Sequence, residues 1–146
     1  MARKLDLAVA PWAVIGTGIL SGKYNKNKDD EGRAQLNKTI KEEHLKIAEK
    51  VIEVSNEAGC TASQAAINWV RQQPGVIIPI IGARTEKQLK ENIDCLKFTL
   101  DEVHLVRLNE ASKIDLGFPH NFLGGDYTRE LIFGGTYDKI DNHHKF

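Results

Sequence analysis

The chain predicts an α/β fold with parallel strands, and three features carry that expectation. Two apolar runs rich in β-branched residues, 7–15 and 76–81, each end at a glycine. Such runs suit strands buried on both faces, as in parallel sheets. Three helix starts share one signature, a threonine followed three residues later by glutamine or glutamate: Thr61 with Gln64, Thr85 with Gln88, and Thr99 with Glu102. The order strand, helix, helix, strand, helix then asks for a right-handed crossover.

Taken along the chain, residues 7–15 run almost unbroken through apolar side chains to Gly16 and Gly18. The stretch 25–38 is charged and polar with one glycine, which predicts a loop. Leu45, Ala48, Val51, Ile52 and Ser55 fall on one helical stripe, with Gly59 as its stop. The capping box at Thr61 opens a helix through Ala65, Ala66, Trp69 and Val70, which Pro74-Gly75 ends. The second strand, 76–81, is weakened by Pro79, which cannot donate to a ladder. Thr85 opens a helix with Leu89, Ile93 and Leu96 on one face, and Thr99 opens another bearing Val103, Val106 and Leu108. From Gly117 the pattern lapses into glycine- and aromatic-bearing segments, so 117–146 predicts a tail that packs over a body. Two parallel strands leave two open edges and cannot close a barrel or stand alone as a sheet. The chain reads as a piece of a larger assembly.

Composition narrows the function classes. A length of 146 residues suits one domain, and 41% hydrophobic with 27% charged residues excludes a disordered chain. Lys plus Arg equals Asp plus Glu, 20 against 20, so no net field recruits nucleic acid or an anionic membrane. Met1-Ala2-Arg3-Lys4 before an apolar stretch imitates a secretory signal, but Asp6 and Pro11-Trp12 interrupt it and no cleavage site follows cleanly. No run approaches the roughly 20 apolar residues of a spanning helix, and a soluble, cytoplasmic protein is expected. Cys60 and Cys95 match no zinc spacing and read as free thiols in a reducing compartment, a lone disulfide being the alternative.

Most chemistry-bearing side chains do not assemble. His44, His104 and His120 are isolated, and His143-His144 sits in the polar terminal tail, so no metal site is expected. Asp29, Asp30 and Glu31 suit a solvated loop. No Ser/His/Asp or Cys/His order stands out, and no catalytic residue is assigned.

The glycine-bearing strand exits are different. Gly16-Thr17-Gly18 tempts toward the G-x-G-x-x-G fingerprint, but the sixth position is Ser21 and Gly22 interrupts the helix that should begin there. A tight turn whose backbone amides approach an anion, with Lys23 supplying charge, fits better. Gly82-Ala83-Arg84-Thr85 lies where the second strand meets a capped helix. A helix N-terminus suits a phosphate, and arginine can fork one with two hydrogen bonds. Alone, Arg84 reads as a solvated residue beside an ordinary cap. Two such exits on successive strands, each with a nearby cation, favour one shared nucleotide site.

Ala10-Pro11-Trp12-Ala13-Val14-Ile15-Gly16, Leu20-Ser21-Gly22-Lys23-Tyr24, the stretch 61–69, and 78–92 with Arg84, Gln88, Glu91 and Asn92 occur in an order that resembles the C-terminal portion of the aldo-keto reductases. Phe98 onward and Gly117-Phe118-Pro119 continue the likeness, which is firmest over residues 7–119. The resemblance implies the C-terminal part of a (β/α)8 TIM barrel, from about the seventh strand, in an NADP-dependent oxidoreductase. It implies Trp12 against the nicotinamide ring, and Ala13, Val14, Ile15, Gly16, Thr17 and Lys23 along the pyrophosphate, with Arg33 reaching over. It places Gly82, Arg84 and Thr85 around the 2′-phosphate, and Gln88, Glu91 and Asn92 near adenine and ribose. Ala13 and Val14 stand where the family has serine and proline, and the lost hydroxyl removes a hydrogen bond of about 1 kcal/mol.

The family's Asp, Tyr, Lys and His tetrad lies on earlier strands, to which nothing here corresponds. Residues 1–5 resemble the end of the helix before strand seven. Met1 is then an internal methionine taken as a start, or the chain is a gene fragment or one half of a split enzyme whose other half is separate. The isolated chain is expected to be inactive, while its full-length form reduces aldehydes or ketones with NADPH. A non-catalytic nucleotide-binding or regulatory module, similar to potassium-channel β subunits, is the alternative.

Overall fold

The computed structural model describes residues 1–27, 32–36 and 40–141, with the Arg33 side chain left aside. Asp29, Asp30, Glu31 and the pair His143-His144 lie outside the described residues. Two compact units are present, Met1–Ser112 and Lys113–Phe146.

In the first unit, a glycine-rich 3-10 turn, Gly16–Ser21, leads to two one-turn helices, α1 (Lys23–Lys26) and α2 (Arg33–Leu36). The expected loop over 25–38 therefore carries helical turns in its described parts. The longer helices are α3 (Glu42–Glu57), α4 (Ala62–Arg71), α5 (Glu86–Ile93) and α6 (Glu102–Ala111). No described helix is long and apolar enough to cross a membrane.

The two expected strands are corrected: among the described residues they reduce to one parallel bridge, Val9 with Ile77. Val9 N–H donates to the Val76 carbonyl at 2.9 Å, Ile78 N–H to the Val9 carbonyl at 2.9 Å, and Ile80 N–H to the Pro11 carbonyl at 2.8 Å. The next rung of a parallel ladder needs an N–H at position 11, and proline has none. Pro11, more than Pro79, stops the ladder. Burial on both faces is not found either, because Val76, Ile78 and Ile80 are more than half exposed and Leu7 is 53% exposed. A strand is enclosed only when neighbours pair it and helices cover it. Among the described residues each segment pairs with the other alone.

The core sits between helices. Val51 and Val54 of α3 pack with Ala65 and Ala66 of α4, Leu100, and Leu108 of α6. A second cluster joins Ala48 of α3 to Ile19, Tyr24 and Ala34. The predicted α3 stripe thus divides between two clusters. On α5 and just beyond it, Leu89, Ile93 and Leu96 are exposed and Asn92 and Cys95 are buried; on α6, Val103 and Val106 are exposed. The Leu89, Ile93 and Leu96 face thus points outward, while of the apolar residues expected on α6 Leu108 is buried in the core and Val103 and Val106 are not.

The three expected caps have three outcomes. Thr61 and Gln64 form the full reciprocal box. The Thr85 hydroxyl accepts from Gln88 N–H at 3.2 Å, but the Gln88 side chain accepts from Arg84 N–H rather than from Thr85. The third box does not form: α6 begins two residues later than the box would require, with Asp101 at its N-cap and no side-chain cap bond. Both cysteines are free thiols.

Polar side chains of α4 and its C-cap fasten the segment after α5, a 3-10 turn over Asp94–Lys97 that becomes extended at Phe98. Asn68, fully buried, donates to the carbonyls of Cys95 at 3.0 Å and Phe98 at 3.2 Å and accepts from Arg71 Nε. Gln72 exchanges two hydrogen bonds with the backbone of Leu100. At the far end, Arg107 of α6 pairs with Glu57 and Glu53 of α3, and His104 Nε2 lies 3.5 Å from Glu57.

The second unit holds two short helices, α7 (His120–Gly124) and α8 (Asp126–Phe133). Its rings meet in pairs, Phe118 with Phe122 and Phe133 with Tyr137, and the Arg129 guanidinium lies 4.9 Å from the centre of the Tyr137 ring. The expected tail therefore has helical structure of its own.

Asn68→Leu should destabilise the chain by about 2–3 kcal/mol, since it strands the buried Cys95 carbonyl and Arg71 Nε. Urea unfolding measures it, with Val103→Ala on the exposed face expected within about 0.5 kcal/mol of the parent. The Arg107 hydrogen bond lowers the Glu57 carboxyl below its ordinary value. A lowered carboxylate contributes stability above its unfolded value of about 4.3 and loses it as pH falls through the folded value. Glu57→Gln should therefore unfold earlier than the parent at pH 7, with the gap closing below about pH 4.3. A gap independent of pH would refute that assignment.

Candidate functional site

The first wall of the site is the turn that follows the parallel bridge. Gly16 N–H donates to Ala13, Gly18 N–H and Leu20 N–H to Ile15, and Gly22 N–H to Ile19, which coils the chain tightly. Ala13 and Thr17 hold φ of +55° and +54°, a left-handed conformation that is a genuine outlier for a β-branched residue. Such strain costs on the order of 1–3 kcal/mol per residue and persists only where packing over-determines it. Packing does so here. Ile19 is buried against Tyr24 and Ala48, and Gly22, at φ +78°, lies so close to α3 that an added Cβ would meet Ile52 Cδ1 at 2.7 Å. The Tyr24 ring is completely buried, and the Lys23 ammonium stands 4.5 Å from its centre.

The second wall is the loop entering α5. Asn92 Nδ2 donates to the Gly82 carbonyl at 3.4 Å, and Gln88 Oε1 accepts from Arg84 N–H at 3.0 Å. Residues 88 and 92 are one turn apart on α5, so a single helix face clamps both ends of the loop. The clamp is itself anchored: Gln64 Nε2 of α4 donates to the Glu91 carbonyl at 2.8 Å.

These walls enclose one cleft of about 1080 Å³. Trp12, Ala13, Val14, Ile15, Thr17 and Lys23 line it from the first wall, and Gly82, Arg84, Gln88, Glu91 and Asn92 from the second. Gly16 lines a separate cavity instead, and Thr85 directs its hydroxyl to the α5 backbone. Arg33 opens α2, and its side chain lies outside the description. The structure adds residues that sequence reasoning missed, Gly18, Ser21, Gln35 and the start of α4 at Thr61 and Ser63. The capping box located that helix start, but nothing in it told that the start faces the cleft.

Chemically, the cleft offers two cationic side chains, a glycine-bearing backbone and an exposed indole, Trp12 being 77% exposed. That combination suits a polyanion attached to a flat ring. Burial pushes both the Cys60 and Cys95 thiols up, so neither is poised as a nucleophile. The donor set fits a dinucleotide phosphate.

Residues 1–113 match the family described as Aldo/keto reductase family. Two Saccharomyces cerevisiae proteins that carry the name aryl-alcohol dehydrogenase are 34% and 33% identical to this chain over 132 residues, 86% of it in each case. The match covers 40% of the first and 87% of the second. An Aspergillus flavus protein named norsolorinic acid reductase is 28% identical over 123 residues, 84% of this chain and 31% of its own length. The chain thus spans about two fifths of the first of these relatives and about a third of the last.

Proposed function

This chain belongs to the aldo/keto reductase family, and from that premise we propose that it is the C-terminal, NADP(H)-binding part of a carbonyl-reducing (β/α)8-barrel enzyme. The observation that carries the reading is the single cleft lined by both Lys23 and Arg84. In barrels of this kind, phosphate sites are frequently built from the loops after the last two strands. The Val9 and Ile77 bridge sets two such segments side by side, and each exits into one wall of the cleft.

A bound nicotinamide dinucleotide supplies the hydride. What this chain supplies is binding and orientation. Trp12 offers an exposed ring for the nicotinamide, and Ala13 to Thr17 with Lys23 would hold the pyrophosphate, Gly16 by shaping the turn, with Arg33 proposed as a further cation for it. Gly82 and Arg84 receive the 2′-phosphate, with Thr85 holding the start of α5 in place. Gln88, Glu91 and Asn92 would lie near the adenine and ribose, and Gln88 and Asn92 keep the loop backbone in register. Lys23 is held over the Tyr24 ring, which restricts where its charge can go.

The proton donor, a Tyr tuned by Lys and His with a supporting Asp, belongs on this reading to polypeptide beyond the chain. The relatives' names concern aryl alcohols and norsolorinic acid, so an aromatic carbonyl is the proposed substrate class of the full-length enzyme.

Two outcomes test the proposal. The 146-residue chain should show no carbonyl-dependent oxidation of NADPH, and measurable turnover would contradict it. Arg84→Ala should weaken NADPH by about 10- to 100-fold, the range expected for lost hydrogen bonds to a charged group, while leaving NADH nearly unchanged. Fluorescence titration reads both, and equal losses for the two cofactors would remove Arg84 from the 2′-phosphate site.

A further inference from the structure

The glycine-rich turn has two faces. Thr17, Gly18 and Ser21 line the nucleotide cleft, whereas Gly16, Ile19 and Leu20 line a separate cavity of about 290 Å³ between the turn, α3, α4 and α6. We propose that this second cavity is a binding site for a small, neutral, two-ring aromatic molecule, and that its occupancy stiffens the turn.

The lining decides the chemistry. Ile19, Leu20, Ile47, Val51, Ala66 and Leu108 give it aliphatic walls, and Trp69 adds an aromatic one. Its polar side chains already have partners. The Trp69 indole N–H donates to Asn109 Oδ1 at 2.8 Å, and the Ser112 hydroxyl donates to the Leu108 carbonyl at 2.7 Å. His44 Nε2 stands 3.7 Å from a Glu43 carboxylate oxygen. A charged guest would lose its hydration, and the one titratable side chain of the lining, His44, already stands beside a carboxylate. A flat apolar guest would lie against Trp69 and leave the existing hydrogen bonds intact. Size points the same way: an apolar cavity of about 150 Å³ stays dry and takes benzene, so a space near twice that has room for two fused rings.

The link to the turn is geometric. Ile19 and Leu20 form part of the cavity wall, and the bonds that coil the turn run from Gly18 and Leu20 N–H to Ile15 and from Gly22 N–H to Ile19. A guest seated on Ile19 and Leu20 opposes any opening of those bonds that would vacate the cavity. Amides that exchange through such an opening are slowed by the factor of one plus ligand concentration over Kd.

The test uses the whole 146-residue chain with naphthalene, and naphthalene-2-sulfonate as the charged counterpart. The chain has two tryptophans, so Trp12→Phe leaves Trp69 as the reporter inside the cavity. Naphthalene should change Trp69 emission saturably and raise the unfolding midpoint. At ten times Kd it should slow exchange at Gly18, Leu20 and Gly22 by about tenfold. The sulfonate should do none of these. Ala66→Leu, which narrows the cavity, should weaken the response. No saturable response to naphthalene, or the same response to the sulfonate, overturns the site. Binding with unchanged exchange at the turn overturns its stiffening. Neither readout depends on whether the neighbouring cleft takes NADPH.

Discussion

A row of polar side chains on α4 holds this structure in place. Gln64, Asn68, Arg71 and Gln72 recur at helical spacing and reach the backbone of Glu91, Cys95, Phe98 and Leu100. These carbonyls lie in the last turn of α5, in the 3-10 turn Asp94–Lys97 and just beyond it, and a buried unpaired carbonyl costs about 1–3 kcal/mol. The α4 side chains supply the donors. α4 thereby fixes the end of α5, and α5 in turn holds the Gly82 to Arg84 loop through Gln88 and Asn92. A contact on one side of the unit thus determines the position of a cation on the other.

The glycine-rich turn depends on a different constraint, close packing. Left-handed backbone at Ala13 and Thr17 survives because Ile19 and Tyr24 are buried behind the turn and Gly22 admits α3 to near contact. Tight packing transmits displacement rather than absorbing it. A turn backed on one side by apolar side chains, and facing a charged cleft on the other, is placed to connect the two.

The parallel bridge gives the site its geometry while contributing little stability by itself. Three hydrogen bonds set residues 9–11 beside 76–80, and the missing N–H of Pro11 ends the pairing. On the proposed reading, Val76, Ile78 and Ile80, exposed here, are the faces that neighbouring barrel strands and helices would cover. Hydrophobic runs could not reveal this, because they report the environment for which a segment is suited and not whether the chain provides it.

The local chemistry was legible without coordinates. Thr61 with Gln64 located the start of α4, the spacing from Leu45 to Ser55 located α3, and the two glycine exits with Lys23 and Arg84 nominated the walls of one cleft. These features depend on neighbours a few residues away, where backbone hydrogen bonding and side-chain period are set by chain order alone. Other features were decided only in three dimensions. The Gln88 side chain bonds Arg84 in place of its own cap, Leu89 and Val103 face outward, and Asn68 is the most deeply engaged polar group of the core. Each depends on which backbone groups lack partners after distant segments have met, and a polar residue at helical spacing looks the same in sequence whether it faces water or a stranded carbonyl.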